Sequence, residues 1–78
     1  MRVYVVEDSP LVRERLVALL SAVAGVEVIG TADNARAGIA GVAELKPDVA
    51  ILDIRMPEGS GISVLETLKL QEDPPTVI

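Results

Sequence analysis

Two uninterrupted apolar runs, Val3–Val6 and Val49–Leu52, restrict the folds open to this chain more than any other feature. A run without polar residues is typical of a strand buried on both faces, which occurs where helices cover both sides of a parallel sheet. Each run ends directly in acidic residues, with Glu7 and Asp8 after the first and Asp53 after the second. The runs therefore predict the two central strands of an α/β sheet.

Segments with helical features separate the strands. Ser9 is a candidate N-cap followed by a proline, and apolar residues then recur at helical spacing until Gly25 ends the helix. Asp33 or Asn34 could cap a second helix over Ala35–Leu45. This second helix contains two glycines, each of which costs about 0.8–1 kcal/mol relative to alanine, so we expect it to be soft.

The remaining segments complete a β-α-β-α-β-α-β alternation. Val26–Ile29 is a strand that Glu27 interrupts, which favours a position at the edge of the sheet. A third helix is predicted near Ile62–Leu70, and Thr76–Ile78 begins a fourth strand. Helical crossovers imply a parallel sheet with right-handed connections. With these two apolar strands in the centre, the predicted strand order is 2-1-3-4.

The acidic residues are expected to meet at one end of this sheet. In doubly wound sheets, ligands bind beyond the carboxyl ends of the strands where the winding reverses, here between strands one and three. Glu7, Asp8 and Asp53 would repel one another there unless a hard cation such as Mg²⁺ held them. A carboxylate beside the cation can attack a phosphoryl group and form an aspartyl phosphate. Singly, these residues are typical of a helix start and a turn, but their combination favours a metal and phosphoryl-acceptor site.

Composition argues against several other classes of protein. The net charge of −5 disfavours binding to nucleic acid or anionic membranes, since both require a positive field. The chain has no cysteine and no histidine, which excludes disulfides, thiolate metal sites and histidine-based catalysis. No apolar run approaches the ~20 residues of a membrane span. The start of the chain lacks a signal-peptide pattern, so we expect a cytoplasmic protein.

Three motifs in order resemble the receiver domain of bacterial two-component response regulators. They are Val5-Val6-Glu7-Asp8-Ser9-Pro10, the segment from Pro47 to Pro57, and Gly61. The resemblance covers the whole chain and implies a flavodoxin-like fold of five βα units. It also implies that a sensor histidine kinase is the partner, whose phosphohistidine supplies a phosphoryl group to an aspartate after the third strand.

The same resemblance implies a role for each site residue. Asp53 is the expected phosphoacceptor, and Asp8 is the expected direct ligand of Mg²⁺. Glu7 would bind the cation directly or through water, and Arg55 would contribute its backbone carbonyl. Such a chain accepts a phosphoryl group as a signalling module and is not expected to be an enzyme in its own right.

The family's fold continues past the fourth strand. We therefore expect residues 1–78 to be the N-terminal portion of one receiver domain, with an incomplete three-layer parallel sheet. The family's Ser/Thr after strand four and its Lys after strand five have no counterpart here, and such preorganised charge is often worth a few kcal/mol in a barrier. Weak Mg²⁺ binding and poor or absent phosphorylation are thus expected. An open sheet edge and exposed apolar surface predict a dimer or higher oligomer.

Other functions remain open on the sequence. A receiver-derived module could act through dimerisation without phosphorylation, which disordered or absent Mg²⁺ binding with tight self-association would favour. A phosphohydrolase with an Asp nucleophile needs a second acid two residues on, where this chain has Arg55. A nucleotide-binding fold needs a Gly-rich loop where Glu7-Asp8-Ser9-Pro10 stands.

Overall fold

The computed structural model describes residues 1–52 and 74–78. The described elements are β1 (Arg2–Val6), α1 (Pro10–Ser21), β2 (Glu27–Ala32), α2 (Ala35–Leu45), β3 (Val49–Leu52) and β4 (Thr76–Val77). The third predicted helix, near Ile62–Leu70, lies outside the described residues. No helix within the two described ranges has the length and apolar character that crossing a membrane requires.

The described strands form one parallel sheet in the order β2-β1-β3-β4, which confirms the predicted topology. The two apolar runs lie side by side, with Val3–Val6 in register with Val49–Leu52. The strand interrupted by Glu27 occupies an edge, as predicted. It continues past the predicted end at Ile29 to Ala32, because β1 offers register partners along that length and pairing overrides the poor strand propensity of glycine.

Helices cover both faces of this sheet. The side chains of β1 alternate between the faces, as the pleat of a strand requires. Val3 and Val5 are buried in a cluster to which Leu16 and Leu20 of α1 add partly buried side chains. The other cluster contains Tyr4 and Val6 together with residues of α2. The described residues therefore have the three-layer α/β arrangement that the sequence predicts.

Side-chain caps begin both helices. The Oγ atom of Ser9 accepts a hydrogen bond from the Val12 amide at 3.3 Å. The Oδ1 atom of Asn34 accepts one from the Ala37 amide at 2.9 Å. The structure thus confirms Ser9 as a cap and selects Asn34 rather than Asp33 for α2. These caps place the start of each helix immediately after the carboxyl end of the preceding strand.

The helices end in different ways. The first helix ends at Ser21, earlier than the predicted stop at Gly25, because the amide of Val23 already bonds to the Leu20 carbonyl in a tighter turn. The second helix ends at the predicted Leu45. Lys46 then adopts a left-handed conformation, with φ 47°, that directs the chain towards β3.

The glycines of α2 allow this helix to approach the sheet closely. A Cβ atom on Gly41 would overlap the hydroxyl group of Tyr4, and one on Gly38 would lie 2.8 Å from Cγ2 of Val6. The Tyr4 hydroxyl also donates to the Thr31 carbonyl at 3.3 Å. Burial, together with the nearby charge of Glu44, raises the pKa of the Tyr4 phenol. The glycines that lower the intrinsic helix propensity of α2 are therefore required by its packing.

Candidate metal and phosphorylation site

The carboxyl ends of β1 and β3 lie beside each other. Val6 and Leu52, the last residues of these strands, are register partners. The Glu7 amide donates to the Ala32 carbonyl at 2.9 Å, which continues the hydrogen-bond ladder between β1 and β2 beyond Val6. The backbone of Glu7 is therefore fixed at this edge of the sheet, next to the point where the chain leaves β3.

Glu7 carries the only buried charged side chain among residues 1–52 and 74–78, with 6% of its surface exposed. Its Oε1 atom accepts a hydrogen bond from the Ser9 amide at 3.1 Å. Burial of a carboxylate is costly unless hydrogen bonds or charges compensate for the lost water. The Ser9 bond supplies part of this compensation and turns the carboxylate back over the start of α1.

Asp8 differs from Glu7 in its environment, because its side chain is exposed. A buried and an exposed carboxylate in adjacent positions form a donor set of hard oxygens. Mg²⁺ accepts such donors and keeps several of its waters, so it suits a site that is open on one side. The two residues therefore fit the predicted cation in the chemistry of their ligands.

The other predicted site residues lie outside the described part of the chain. Asp53, expected to accept the phosphoryl group, and Arg55, expected to offer its backbone carbonyl, both belong to residues 53–73. Within the described ranges, no group of three or more His, Cys, Asp or Glu residues could hold a metal ion. The structure thus brings Glu7 and Asp8 to the expected edge, while the roles of all four residues stay predictions.

Arg13 contacts this site, although the sequence pattern places it only on the polar side of α1. Its Nη1 atom donates to the carbonyl oxygen of Glu7 at 3.0 Å. The Arg13 backbone amide also bonds to the Ser9 carbonyl, at 2.9 Å. In the sequence, Arg13 stands early in α1 and soon after the acidic pair, which could have suggested this contact. An arginine that only faces solvent would occupy the same kind of position, so the sequence does not distinguish the two.

Comparison with known proteins identifies the family. The family described as "Response regulator receiver domain" matches residues 3–78. A protein-glutamate methylesterase/protein-glutamine glutaminase of Archaeoglobus fulgidus is 44% identical over 78 residues, covering 100% of this chain and 22% of that protein. An uncharacterized response regulatory protein of Vibrio vulnificus is 49% identical over 61 residues, which are 78% of this chain and 25% of that protein.

Solved structures agree with this assignment. The response regulator domain of Thermotoga maritima CheB superposes with a TM-score of 0.91 at 34% identity, covering 99% of this chain and 57% of that one. The signal receiver domain of the response regulator NarL from Mycobacterium tuberculosis gives a TM-score of 0.91 at 41% identity, covering 97% of this chain and 61% of that one.

The fold and the family match together define a receiver module of two-component signalling. The chain belongs to the response regulator receiver domain family. It spans 22% of the Archaeoglobus relative and 57% of the Thermotoga receiver chain. The methylesterase and glutaminase activities in the relatives' names describe those longer proteins. The comparisons give no support to the alternative of an interaction module that works without phosphorylation.

Proposed function

We propose that this chain is a phosphoacceptor module in which Asp53 receives a phosphoryl group with the help of Mg²⁺. The observation that carries the proposal is the register of β1 and β3. It brings the acidic pair Glu7 and Asp8 to the end of the strand that precedes Asp53 in the sequence. Family membership supports the same chemistry.

The proposed reaction is a transfer between two residues. A carboxylate oxygen of Asp53 attacks the phosphorus atom of a phosphohistidine and forms a new P–O bond. The P–N bond breaks, its electron pair stays on the imidazole nitrogen, and that nitrogen takes a proton from solvent. No oxidation or reduction occurs, and the product on this chain is an aspartyl phosphate.

The cation has a limited part in this proposal. When bound, Mg²⁺ would offset the negative charge that accumulates between the phosphoryl oxygens and the acidic residues. Asp8 would hold it directly, Glu7 would hold it directly or through water, and Arg55 would offer its backbone carbonyl. The buried position of Glu7 keeps its carboxylate close to the sheet edge, whereas exposed Asp8 can receive a hydrated ion from solvent.

The proposed phosphodonor is a sensor histidine kinase, and the proposed location is the cytoplasm. Family membership supports both parts of this proposal. The chain has a net charge of −5, which supports the proposal that this segment does not bind nucleic acid directly.

Phosphorylation by a small phosphodonor tests the proposal. We expect incubation with acetyl phosphate and Mg²⁺ to add the mass of one phosphoryl group to a small fraction of the chain. Hydroxylamine should remove this mass, because it cleaves acyl phosphates, and EDTA present from the start should prevent its appearance. Intact-mass spectrometry measures all three. An adduct that resists hydroxylamine, or no adduct even after prolonged incubation, would contradict the proposal.

We also propose that the chain self-associates through the outer surface of α1. This helix has no buried residue, and its Leu11 and Leu19 are 56% and 69% exposed. Val23, which follows the end of the helix, is 52% exposed. Exposed large apolar side chains of this kind favour association. Sedimentation velocity should show a dimer or larger species whose fraction falls in Leu19→Lys. A chain that remains monomeric at high micromolar concentration would disprove this part of the proposal.

A further inference from the structure

We propose that Arg13 is a positioning residue for the cation site, which it serves by fixing the peptide between Glu7 and Asp8. The inference rests on the proposed function, since it assumes that these acids bind a divalent cation. Its basis is the 3.0 Å hydrogen bond from Nη1 of Arg13 to the Glu7 carbonyl oxygen. The Arg13 side chain does not need to touch the cation or the phosphoryl group.

The hydrogen bonds that hold Glu7 come from different directions. Its amide donates to the Ala32 carbonyl, its Oε1 atom accepts from the Ser9 amide, and its carbonyl accepts from Arg13. The first bond belongs to the sheet and the second to the helix start. The third, from Arg13, acts on the carbonyl that is joined directly to the nitrogen of Asp8. Orientation of this peptide sets the direction of the Cα–Cβ bond of Asp8.

Two further hydrogen bonds link Arg13 to Glu7 through Ser9. The Arg13 amide bonds to the Ser9 carbonyl at 2.9 Å, and the Ser9 amide bonds to Glu7 at 3.1 Å. Together with the bond from the Arg13 guanidinium group to the Glu7 carbonyl, they form a closed ring of hydrogen bonds. Because Arg13 is only partly buried, its aliphatic stem can pack while its charged end reaches the turn. Two open cavities, of about 450 and 280 Å³, share Arg13 and Thr31 in their walls.

Removal of Arg13 should change cation affinity in opposite directions, depending on whether Arg13 acts through its charge or through its hydrogen bond. A positive charge near two carboxylates repels a divalent cation, so loss of that charge alone should strengthen cation binding. Loss of a positioning contact should weaken binding, because partners that orient metal ligands typically affect affinity by 10–100-fold. The sign of the change therefore distinguishes the two roles.

Mn²⁺ binding measured by electron paramagnetic resonance tests this inference. We expect Arg13→Met to raise the dissociation constant about tenfold. Arg15→Met is the matched control, since Arg15 is exposed on the same helix, and it should leave the constant unchanged or lower it slightly. Ser9→Ala removes the side-chain cap of α1 but retains the amide that bonds to Glu7, so it controls for general weakening of this helix. Arg13→Gln is measured in parallel, so that the comparison does not depend on one variant folding.

A second measurement needs no metal. In the metal-free protein, the Ser9 amide should exchange its hydrogen faster in Arg13→Met, because its acceptor Glu7 is less firmly held. The Ala37 amide, which bonds to the Asn34 side chain at the start of α2, should not change. Unchanged Ser9 exchange together with unchanged or tighter Mn²⁺ binding would overturn the inference while leaving the cation site intact. Absence of Mn²⁺ binding in the unmodified chain would overturn the cation site and this inference with it.

Discussion

Asp53→Asn is expected to abolish the hydroxylamine-sensitive phosphoryl adduct completely. The neutral amide lacks the anionic oxygen that attacks phosphorus, and it cannot form an acyl phosphate of the same kind. Intact mass after incubation with acetyl phosphate and Mg²⁺ measures the result. Asp8→Asn should reduce the adduct without removing the acceptor, and a higher Mg²⁺ concentration should partly restore it.

Asp48→Asn is the matched control for Asp53→Asn. Asp48 precedes β3 and Asp53 follows it, so the same chemical change is made at opposite ends of one strand. The Oδ2 atom of Asp48 accepts a hydrogen bond from the Arg2 amide at 2.8 Å, and the amide oxygen of an asparagine can accept it too. We expect the control to be phosphorylated like the unmodified chain. An equal adduct in Asp53→Asn would show that another residue is the acceptor.

The sheet order and the position of the acidic pair could be predicted because both follow from local sequence. Uninterrupted apolar residues in Val3–Val6 and Val49–Leu52 favour burial on two faces, and Glu27 marks an edge. Parallel strands joined by helices then leave few possible orders. The carboxyl edge follows directly, since Glu7 comes immediately after Val6 in the chain. The structure confirms this order and the edge position of β2.

The contacts of Arg13 and Tyr4 could not be predicted in the same way. Spacing along α1 places Arg13 on a polar face, but whether it reaches the Glu7 carbonyl depends on the turn between β1 and α1. The glycines of α2 similarly predict a soft helix when only propensity is considered. Their use becomes clear once Tyr4 is seen to lie against Gly41 across two elements that are distant in sequence. Such tertiary contacts carry little signal in a single sequence.

Gly41→Ala provides the second large expected effect, a loss of about 1–2 kcal/mol in the free energy of unfolding. Helix propensity alone favours alanine by about 0.8–1 kcal/mol. Overpacking costs about 1–3 kcal/mol. The added Cβ would overlap both the hydroxyl and the ring of buried Tyr4, which places this substitution in the upper part of that range. Steric overlap should therefore decide the sign. Urea unfolding followed by far-UV circular dichroism measures the change, which avoids dependence on Tyr4, the only aromatic residue.

Two variants separate packing from propensity. Ala40→Gly, at an exposed position of the same helix, should cost about 1 kcal/mol and so measures the propensity of α2 directly. In a Tyr4→Leu background the overlap is relieved, so Gly41→Ala should become neutral or stabilising there. The difference between the two backgrounds is the interaction energy between positions 4 and 41. If Gly41→Ala stabilises the unmodified chain as much as it stabilises Tyr4→Leu, then the close approach of α2 to the sheet does not depend on this glycine.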